Sequence, residues 1–217
     1  MELRVEKEIA HIRELVIHMA TLTEEAVVNA IESFLKLDVE MAQTVINNDS
    51  EINSLEMDVD KETFECLALK APVAKDLRFL FCIQKINKDL ERIGDHAVNI
   101  AQAALNCNSL GRPVAGPDIK LMSSVTRGML SDAINCFIKT DTQLALKVLE
   151  RDDQVDELNR SMSREVINMV KKDVASVEAC LELLRVSKNL ERIADLSTNI
   201  SEDVIFHANA KDVKHHH

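Results

Sequence analysis

The chain has 217 residues, of which 46% are hydrophobic and 29% are charged, while it contains 4 Gly, 3 Pro, 6 Phe and neither Trp nor Tyr. Because strands and tight turns depend on glycine, proline and aromatic side chains, this composition favours an all-α fold over one with sheets. The formal net charge of −11 argues against a nucleic-acid partner, which must be attracted through its phosphates, and favours cations or basic protein surfaces.

Amphipathic segments separated by weak breakers predict six long helices. The first three are predicted at residues 3–37, 39–69 and 73–106, and the last three at 118–140, 142–172 and 174–208. Asp38 and Asp141 stand at N-cap positions, where a carboxylate accepts hydrogen bonds from the first turn of a helix. Because the connections are short, neighbouring helices should be antiparallel, which gives two elongated three-helix bundles in tandem.

An internal duplication relates the two halves of the chain. At a shift of 133 − 30 = 103, Ala30 and Asp38 match Ala133 and Asp141, and at a shift of 191 − 91 = 100 the segment KDLERIGDHAVNIA matches KNLERIADLSTNIS. A period near 100 is too long for a solenoid unit, which usually repeats every ~20 to 50 residues, so it indicates a duplicated domain.

Glycine and proline concentrate in SLGRPVAGP, at residues 109–117, which predicts a linker. It separates a first bundle at residues 1–108 from a second at residues 118–209. Residues 210–217 form a tail, whose closing histidines are either a native end or the remnant of a purification tag.

Each half carries a stripe of side-chain oxygens on its second and third predicted helices. On the third helix, the stripe lies about 160° from the apolar stripe and is therefore expected to look away from the helix's own core. The candidate metal ligands are Asp49, Asn53, Glu56, Asp60, Glu91, Asp95 and Asn99 in the first half, and Asp152, Asp156, Glu191, Asp195 and Asn199 in the second.

Acids four residues apart on one helix face repel each other unless a cation lies between them. If the two stripes of a bundle meet, their oxygens suit iron, manganese, magnesium or calcium better than zinc, which usually requires histidine or cysteine. His96, beside Asp95, adds a candidate nitrogen ligand that its counterpart Leu196 cannot supply. The alternative is that the acids form a solvated face paired with Arg92 or Arg192.

The sequence contains no pattern that predicts catalysis or an organic cofactor. Glu8 and His11 form an isolated Glu-x-x-His, whereas a ferritin-like di-iron oxidase needs one on each of two helices. Gly94, which aligns with Ala194, is expected to be a point of close helix packing. An iron-storage protein, a carboxylate-bridged metalloenzyme and an acidic helical scaffold remain alternatives to a regulatory function.

The cellular location is predicted from cysteine usage and from the apolar runs. The 5 cysteines are far apart and odd in number, which favours free thiols in a reducing cytosol. The start of the chain lacks the apolar region of a secretory signal, and the longest uncharged run, at residues 96–111, contains amides that a bilayer core would reject. We therefore expect a cytoplasmic protein without a transmembrane helix.

The duplicated segments KDLERIGDHAVNIA and KNLERIADLSTNISED, together with APVAKDLRFL at residues 71–80, resemble the PhoU family of phosphate-uptake regulators. The resemblance covers essentially the whole chain, and it implies the fold of two tandem three-helix bundles. Some members carry multinuclear metal clusters on Glu/Asp-x-x-x-Asp stripes, which match the candidate ligands above. The second half departs from this pattern at Leu196, Asn159 and Ser163, which implies fewer or weaker metal ions there.

The resemblance also implies a function and partners. Members act in the cytoplasm without catalysis, on the ATPase subunit of the high-affinity phosphate ABC transporter and on the phosphate-sensing histidine kinase, and they restrain both when phosphate is plentiful. A homodimer is expected because elongated helical faces pack readily on a copy of themselves. Contact with the membrane should be indirect, because anionic lipid repels a chain of charge −11.

Overall fold

Amphipathic helices account for nearly all of residues 2–72, 74–111 and 117–209, the part of the chain that this computed structural model describes. The first half contains α1 (Glu2–Lys36), α2 (Val39–Lys70) and α3 (Lys75–Ser109). These helices pack on one another as a three-helix bundle, with the apolar stripes of all three facing inward.

The second half contains α4 (Pro117–Lys139), α5 (Thr142–Leu149), α6 (Asp152–Lys172) and α7 (Val177–Asn209), with a single 3₁₀ turn at Val174–Ser176 before α7. The helix predicted at residues 142–172 is thus present but interrupted, as α5 and α6. Most of the predicted linker and the whole predicted tail fall on residues 112–116 and 210–217, outside the described residues.

Arg151 lies at the interruption between α5 and α6. Its Nε donates to the backbone oxygen of Lys147 over 3.1 Å, and its guanidinium reaches across to Asp132 on α4. A Cβ added at Gly128 would lie 3.3 Å from the Arg151 Nη1 atom, so a larger residue there would press against the guanidinium. The matching position in the first half, by 151 − 103 = 48, is Asn48, and α2 continues through it.

Both predicted N-caps are confirmed. An Asp38 oxygen accepts from the backbone N–H of Met41 over 3.0 Å, and an Asp141 oxygen accepts from those of Gln143 and Leu144 over 3.0 Å. Each capping residue therefore satisfies N–H groups that would otherwise lack a partner at the start of a helix.

The two bundles pack side by side through α3 and α7, which run antiparallel. Contacts link opposite ends of the two helices: the Cys82 thiol donates to the backbone oxygen of Asp203, and Asn106 Nδ2 donates to Glu182 Oε1 over 2.9 Å. Buried apolar residues of both halves form one continuous core. The predicted fold class, an all-α protein of two antiparallel three-helix bundles, is confirmed.

The described cysteines are free and buried, and burial raises the pKa of the Cys82 and Cys136 thiols to about 12. None of the described helices has the length and apolarity needed to cross a membrane.

Candidate functional site

The stripe of the first half lies along the groove where α2 meets α3. A Cβ added at Gly94 of α3 would lie 3.3 Å from Asp49 Oδ1 and 3.4 Å from Ile52 Cδ1, both on α2. The prediction that Gly94 is a close packing point is therefore confirmed. Because the helices approach so closely here, Asp49 is brought against the acids of α3 and is half-buried.

The carboxylate of Asp49 has one oxygen without a hydrogen-bond partner and lies near other negative charges. Its Oδ2 accepts from Asn53 Nδ2 over 2.8 Å, but its Oδ1 is buried and has no hydrogen-bond partner. Burial raises the pKa of Asp49, and the nearby charges of Asp95 and Glu91 raise it further. A bound cation would relieve both the burial and the repulsion.

Three other acids of this stripe, Glu56, Asp60 and Glu91, already have protein partners. Lys88 Nζ lies 2.9 Å from Glu91 and 3.8 Å from Glu56, and Asn87 Nδ2 donates to Asp60 over 3.0 Å. The pKa of Glu56 is nevertheless raised, first by burial and then by the charge of Asp60. One lysine thus compensates only part of the negative charge.

In the second half, three acids from α6 and α7 converge. Asp156, Glu191 and Asp195 each offer one carboxylate oxygen, and these three atoms lie within 4.8 Å of one another. Asp152 lies beside them, and burial, followed by the charges of Asp195 and Asp156, raises its pKa to about 6. Half-buried carboxylates at this spacing are suited to a hard divalent or trivalent cation.

Basic side chains also accompany this carboxylate group. Arg192 Nη1 lies 2.9 Å from Asp195, Arg160 Nη2 lies 3.2 Å from Asp156, and Lys188 pairs with Glu191. The arrangement therefore fits a metal site and also the predicted alternative, an acidic face held by ion pairs. Lys88 and Lys188 were not among the predicted site residues, although both stand three residues before the acid that they contact, which is a detectable signal.

A cleft of about 730 Å³ lies between α3 and α7 and brings the third-helix stripes of both halves together. His96 is held there by a 2.8 Å hydrogen bond between its Nδ1 and Asn189 Oδ1 of the other half. The polar residues shared by the two halves that line the cleft are Arg92, Asp95, Asn99, Arg192, Asp195 and Asn199.

The predicted stripe residues therefore occupy three connected places. Asp49 and Asn53 lie at the α2–α3 groove, Asp152 and Asp156 at the α6–α7 groove, and the third-helix stripes extend from these grooves into the cleft. Glu56 and Asp60 lie one and two turns further along α2, beside Lys88 and Asn87. The stripes are mostly half-buried against a neighbouring helix, whereas the sequence predicted a face directed away from the core.

Comparisons with known proteins give matches over nearly the whole length of the chain. The family model described as "PhoU domain" matches twice, at residues 16–104 and 119–204. A phosphate-specific transport system accessory protein PhoU homolog of Aquifex aeolicus is 39% identical over 213 residues, covering 97% of this chain and 96% of that protein. The protein of the same name from Caulobacter vibrioides is 33% identical over 209 residues, covering 95% and 90%.

Solved structures show the same architecture. The crystal structure of PhoU from Pseudomonas aeruginosa superposes with a TM-score of 0.92 at 31% identity, covering 95% of this chain and 99% of that one. That of the phosphate transport system regulatory protein PhoU from Streptococcus pneumoniae gives 0.89 at 28% identity, covering 96% and 99%.

Proposed function

The chain belongs to the PhoU family, and from this premise we propose that it is a non-catalytic regulator of a phosphate-specific transport system. The observation that carries the proposal is the double match of the PhoU domain, supported by relatives that are named accessory proteins of phosphate-specific transport. Membership of the family supports a role in the regulation of phosphate transport. The specific partners and the mechanism are our proposal.

In this proposal, the protein acts in the cytoplasm and restrains two partners when phosphate is plentiful. These are the ATPase subunit of a phosphate ABC transporter and the phosphate-sensing histidine kinase. The net charge of −11 supports basic protein surfaces as partners and makes contact with the membrane indirect, through those partners.

The proposed docking surface combines the acids of the cleft with exposed apolar side chains. Phe64 and Phe81 are 60% and 57% exposed, and their repeat counterparts, Ile167 and Leu181, are 54% and 59% exposed. Large apolar side chains are usually buried, so four repeat-related exceptions favour a protein contact. Charge would set encounter rate and specificity, while these anchors would slow dissociation.

A metal ion would be held by the carboxylate groups, because their chemistry fits one. Asp156, Glu191 and Asp195 would hold it in the second half, and Asp49 with Glu91 and Asp95 in the first. Iron, manganese, magnesium or calcium fits these oxygens better than zinc. When bound, the ion would neutralise the acids and thereby set the charge of the cleft that partners meet.

Charge reversal in the cleft tests the docking proposal. Glu91→Lys with Asp95→Lys should weaken binding to the purified ATPase subunit by about tenfold or more, because the introduced lysines would repel a basic surface that the acids attract. The matched control is Asp58→Lys with Glu65→Lys, which makes the same charge change at two exposed positions of α2. Equal binding by wild type and the cleft variant, with unchanged helicity, would refute this docking surface.

A homodimer is part of the proposal. Apolar side chains outside that docking surface, Met57 and Leu69 of α2 and Leu121 of α4, also remain exposed and support it, since a second copy could cover them. Light scattering would then give a mass twice the 24.3 kDa of one chain, and a monomer at working concentration would contradict it.

The second candidate function is metal handling, either iron storage or catalysis at a carboxylate-bridged site. The close spacing of Asp156, Glu191 and Asp195 favours it. The two candidates differ in turnover: an oxidase or ferroxidase consumes oxygen when ferrous iron is added, whereas a regulator does not.

A further inference from the structure

A second pocket, of about 590 Å³, lies where the start of α3 and the end of α7 meet α1 and the end of α4. Its lining includes Arg78 of α3, about 25 Å along that helix from Asp95 of the cleft. We call it the basic pocket, after its cations Arg13, Lys75 and Arg78, and the imidazole of His207 also lines it. It is separate from the carboxylate stripes, and the proposed function does not use it.

The charge of the basic pocket is opposite to that of the whole chain. Arg13, Lys75 and Arg78 carry permanent positive charges against two carboxylates, Glu6 and Asp76. Within the described residues, none of these three cations takes part in an ion pair with a carboxylate. A chain of net charge −11 therefore keeps an excess of positive charge around this one cavity.

Two buried polar atoms of the basic pocket lack partners: Arg78 Nε, which is a donor, and the ring nitrogen Nδ1 of His207, which donates in one tautomer and accepts in the other. Buried polar atoms are nearly always satisfied, so two such atoms at one cavity favour a ligand that forms hydrogen bonds with them.

The surrounding contacts hold these groups in place. Arg13 Nη2 donates to the backbone oxygen of Ile138 on α4 over 2.5 Å. The His207 ring lies 5.1 Å from the ring of Phe79, which stacks on Phe137 at 6.5 Å. Because α1, α3, α4 and α7 each contribute a group, the site exists only when both halves of the molecule are folded together.

The start of α3 adds to the positive field. Its N-cap residue, Ala74, makes no side-chain hydrogen bond to the N–H groups of the first turn. The positive end of the helix dipole and the charge of Lys75 act at the same place.

We propose that the basic pocket binds a small phosphoryl-bearing anion, either inorganic phosphate or a phosphate monoester. Guanidinium groups recognise tetrahedral oxyanions by paired N–H donation, and a dianion matches an excess of cations better than a monocarboxylate does. Ile9, Ala10 and Phe79 line the rest of the cavity, which leaves room for an apolar substituent on the phosphate group.

Calorimetric titration of the full chain, at constant ionic strength set with chloride, tests the proposal. Inorganic phosphate and glycerol phosphate are the two probes, and saturable binding of at least one is expected. Tighter binding of the free anion would identify inorganic phosphate as the ligand class, and tighter binding of glycerol phosphate would identify a monoester. No saturable binding of either probe at millimolar concentration would overturn the proposal.

Variants locate the binding. Arg78→Gln and, independently, Arg13→Gln should weaken binding about tenfold or more, since each removes a charge-assisted donor. Arg164→Gln, at an exposed position of α6, makes the same charge change elsewhere and should have little effect. If Arg164→Gln weakens binding as much as the pocket variants do, the binding is only general electrostatic attraction and the assignment fails. The thermal midpoint and helicity of each variant distinguish a lost ligand contact from a lost fold.

Discussion

The pKa of Asp152 shows the effect of neighbouring acids on a single carboxyl group. Burial and the charges of Asp195 and Asp156 raise its pKa to about 6, against an ordinary value of 3.8. Between these values the folded state holds a proton that the unfolded state releases. The metal-free protein therefore loses stability as the pH rises from about 4 to about 6, and stays destabilised above that range.

Replacing Asp152 with asparagine should remove this penalty. In the presence of a chelator, Asp152→Asn should raise the free energy of unfolding at pH 7 by roughly 1 kcal/mol, allowing for solvent screening, with little effect at pH 4. Urea unfolding at the two pH values measures it. Glu65→Gln, at an exposed position of α2, is the control and should be neutral at both. An effect of equal size at pH 4 and pH 7 would show that the titration of Asp152 is not the cause.

The same acids should determine the metal content. Untagged protein purified without nickel should carry one or more ions per chain by mass spectrometry, because half-buried carboxylates at this spacing favour hard cations. Glu191→Ala with Asp195→Ala should lose the ions of the second half, and Glu91→Ala with Asp95→Ala those of the first. A metal-free and stably folded wild type would leave the acids as a docking face held by ion pairs.

At the scale of the helices, the first helix of each half, α1 or α4, ends in the same backbone conformation. Leu37 and Thr140 have φ values of 53°, and the next residue in each case donates its N–H back to an oxygen five residues earlier, Ser33 or Cys136. This is a Schellman-type ending, which normally uses glycine because other residues are strained at positive φ. The strained residue leads directly into the capping aspartate of the next helix.

Thr140 is exposed, so the strain there can be relieved without loss of packing. Thr140→Gly should stabilise the protein by about 0.5–1 kcal/mol, because glycine adopts positive φ freely. Thermal unfolding measures the change. Lys61→Gly, at an exposed position inside α2, should instead destabilise by about 1 kcal/mol, since glycine is unfavourable inside a helix. If both variants are destabilising, the left-handed conformation at Thr140 is not a source of strain.

At the scale of the whole molecule, the contact between α3 and α7 joins the halves into one body. It includes the buried Asp203 of α7, which pairs with Lys85 of α3 at 2.9 Å, and it is part of the continuous core. Each half alone would expose the apolar surface of this contact to water.

We therefore expect the two halves to unfold together. Urea unfolding followed by circular dichroism should show one transition, because separating the halves costs the burial of the α3–α7 contact. Labelling Asn48→Cys in the first half and Asp153→Cys in the second, each with a fluorophore, should give coincident midpoints with the circular dichroism. Two separated transitions would show that the halves are independent domains.

Several features could be predicted from the sequence because they depend on neighbours along the chain. The helices and the caps at Asp38 and Asp141 follow from local periodicity and from N–H groups within a few residues. The duplication placed Asp95 and Asp195 at equivalent positions and identified Gly94 as a packing point. The interruption at Arg151 could not be predicted, because it accompanies a side chain that reaches a different helix.

The sequence by itself thus determined which helices form, which side chains recur on each half and, through the duplicated motifs, the family. Only the tertiary structure decided that α3 and α7 run antiparallel, so that Asp95 and Asp195 face one cleft, and that Arg13, Arg78 and His207 surround one cavity. The physical reason is that periodicity fixes the direction of a side chain around its own helix. Which helices meet depends on how the apolar faces of distant segments bury one another.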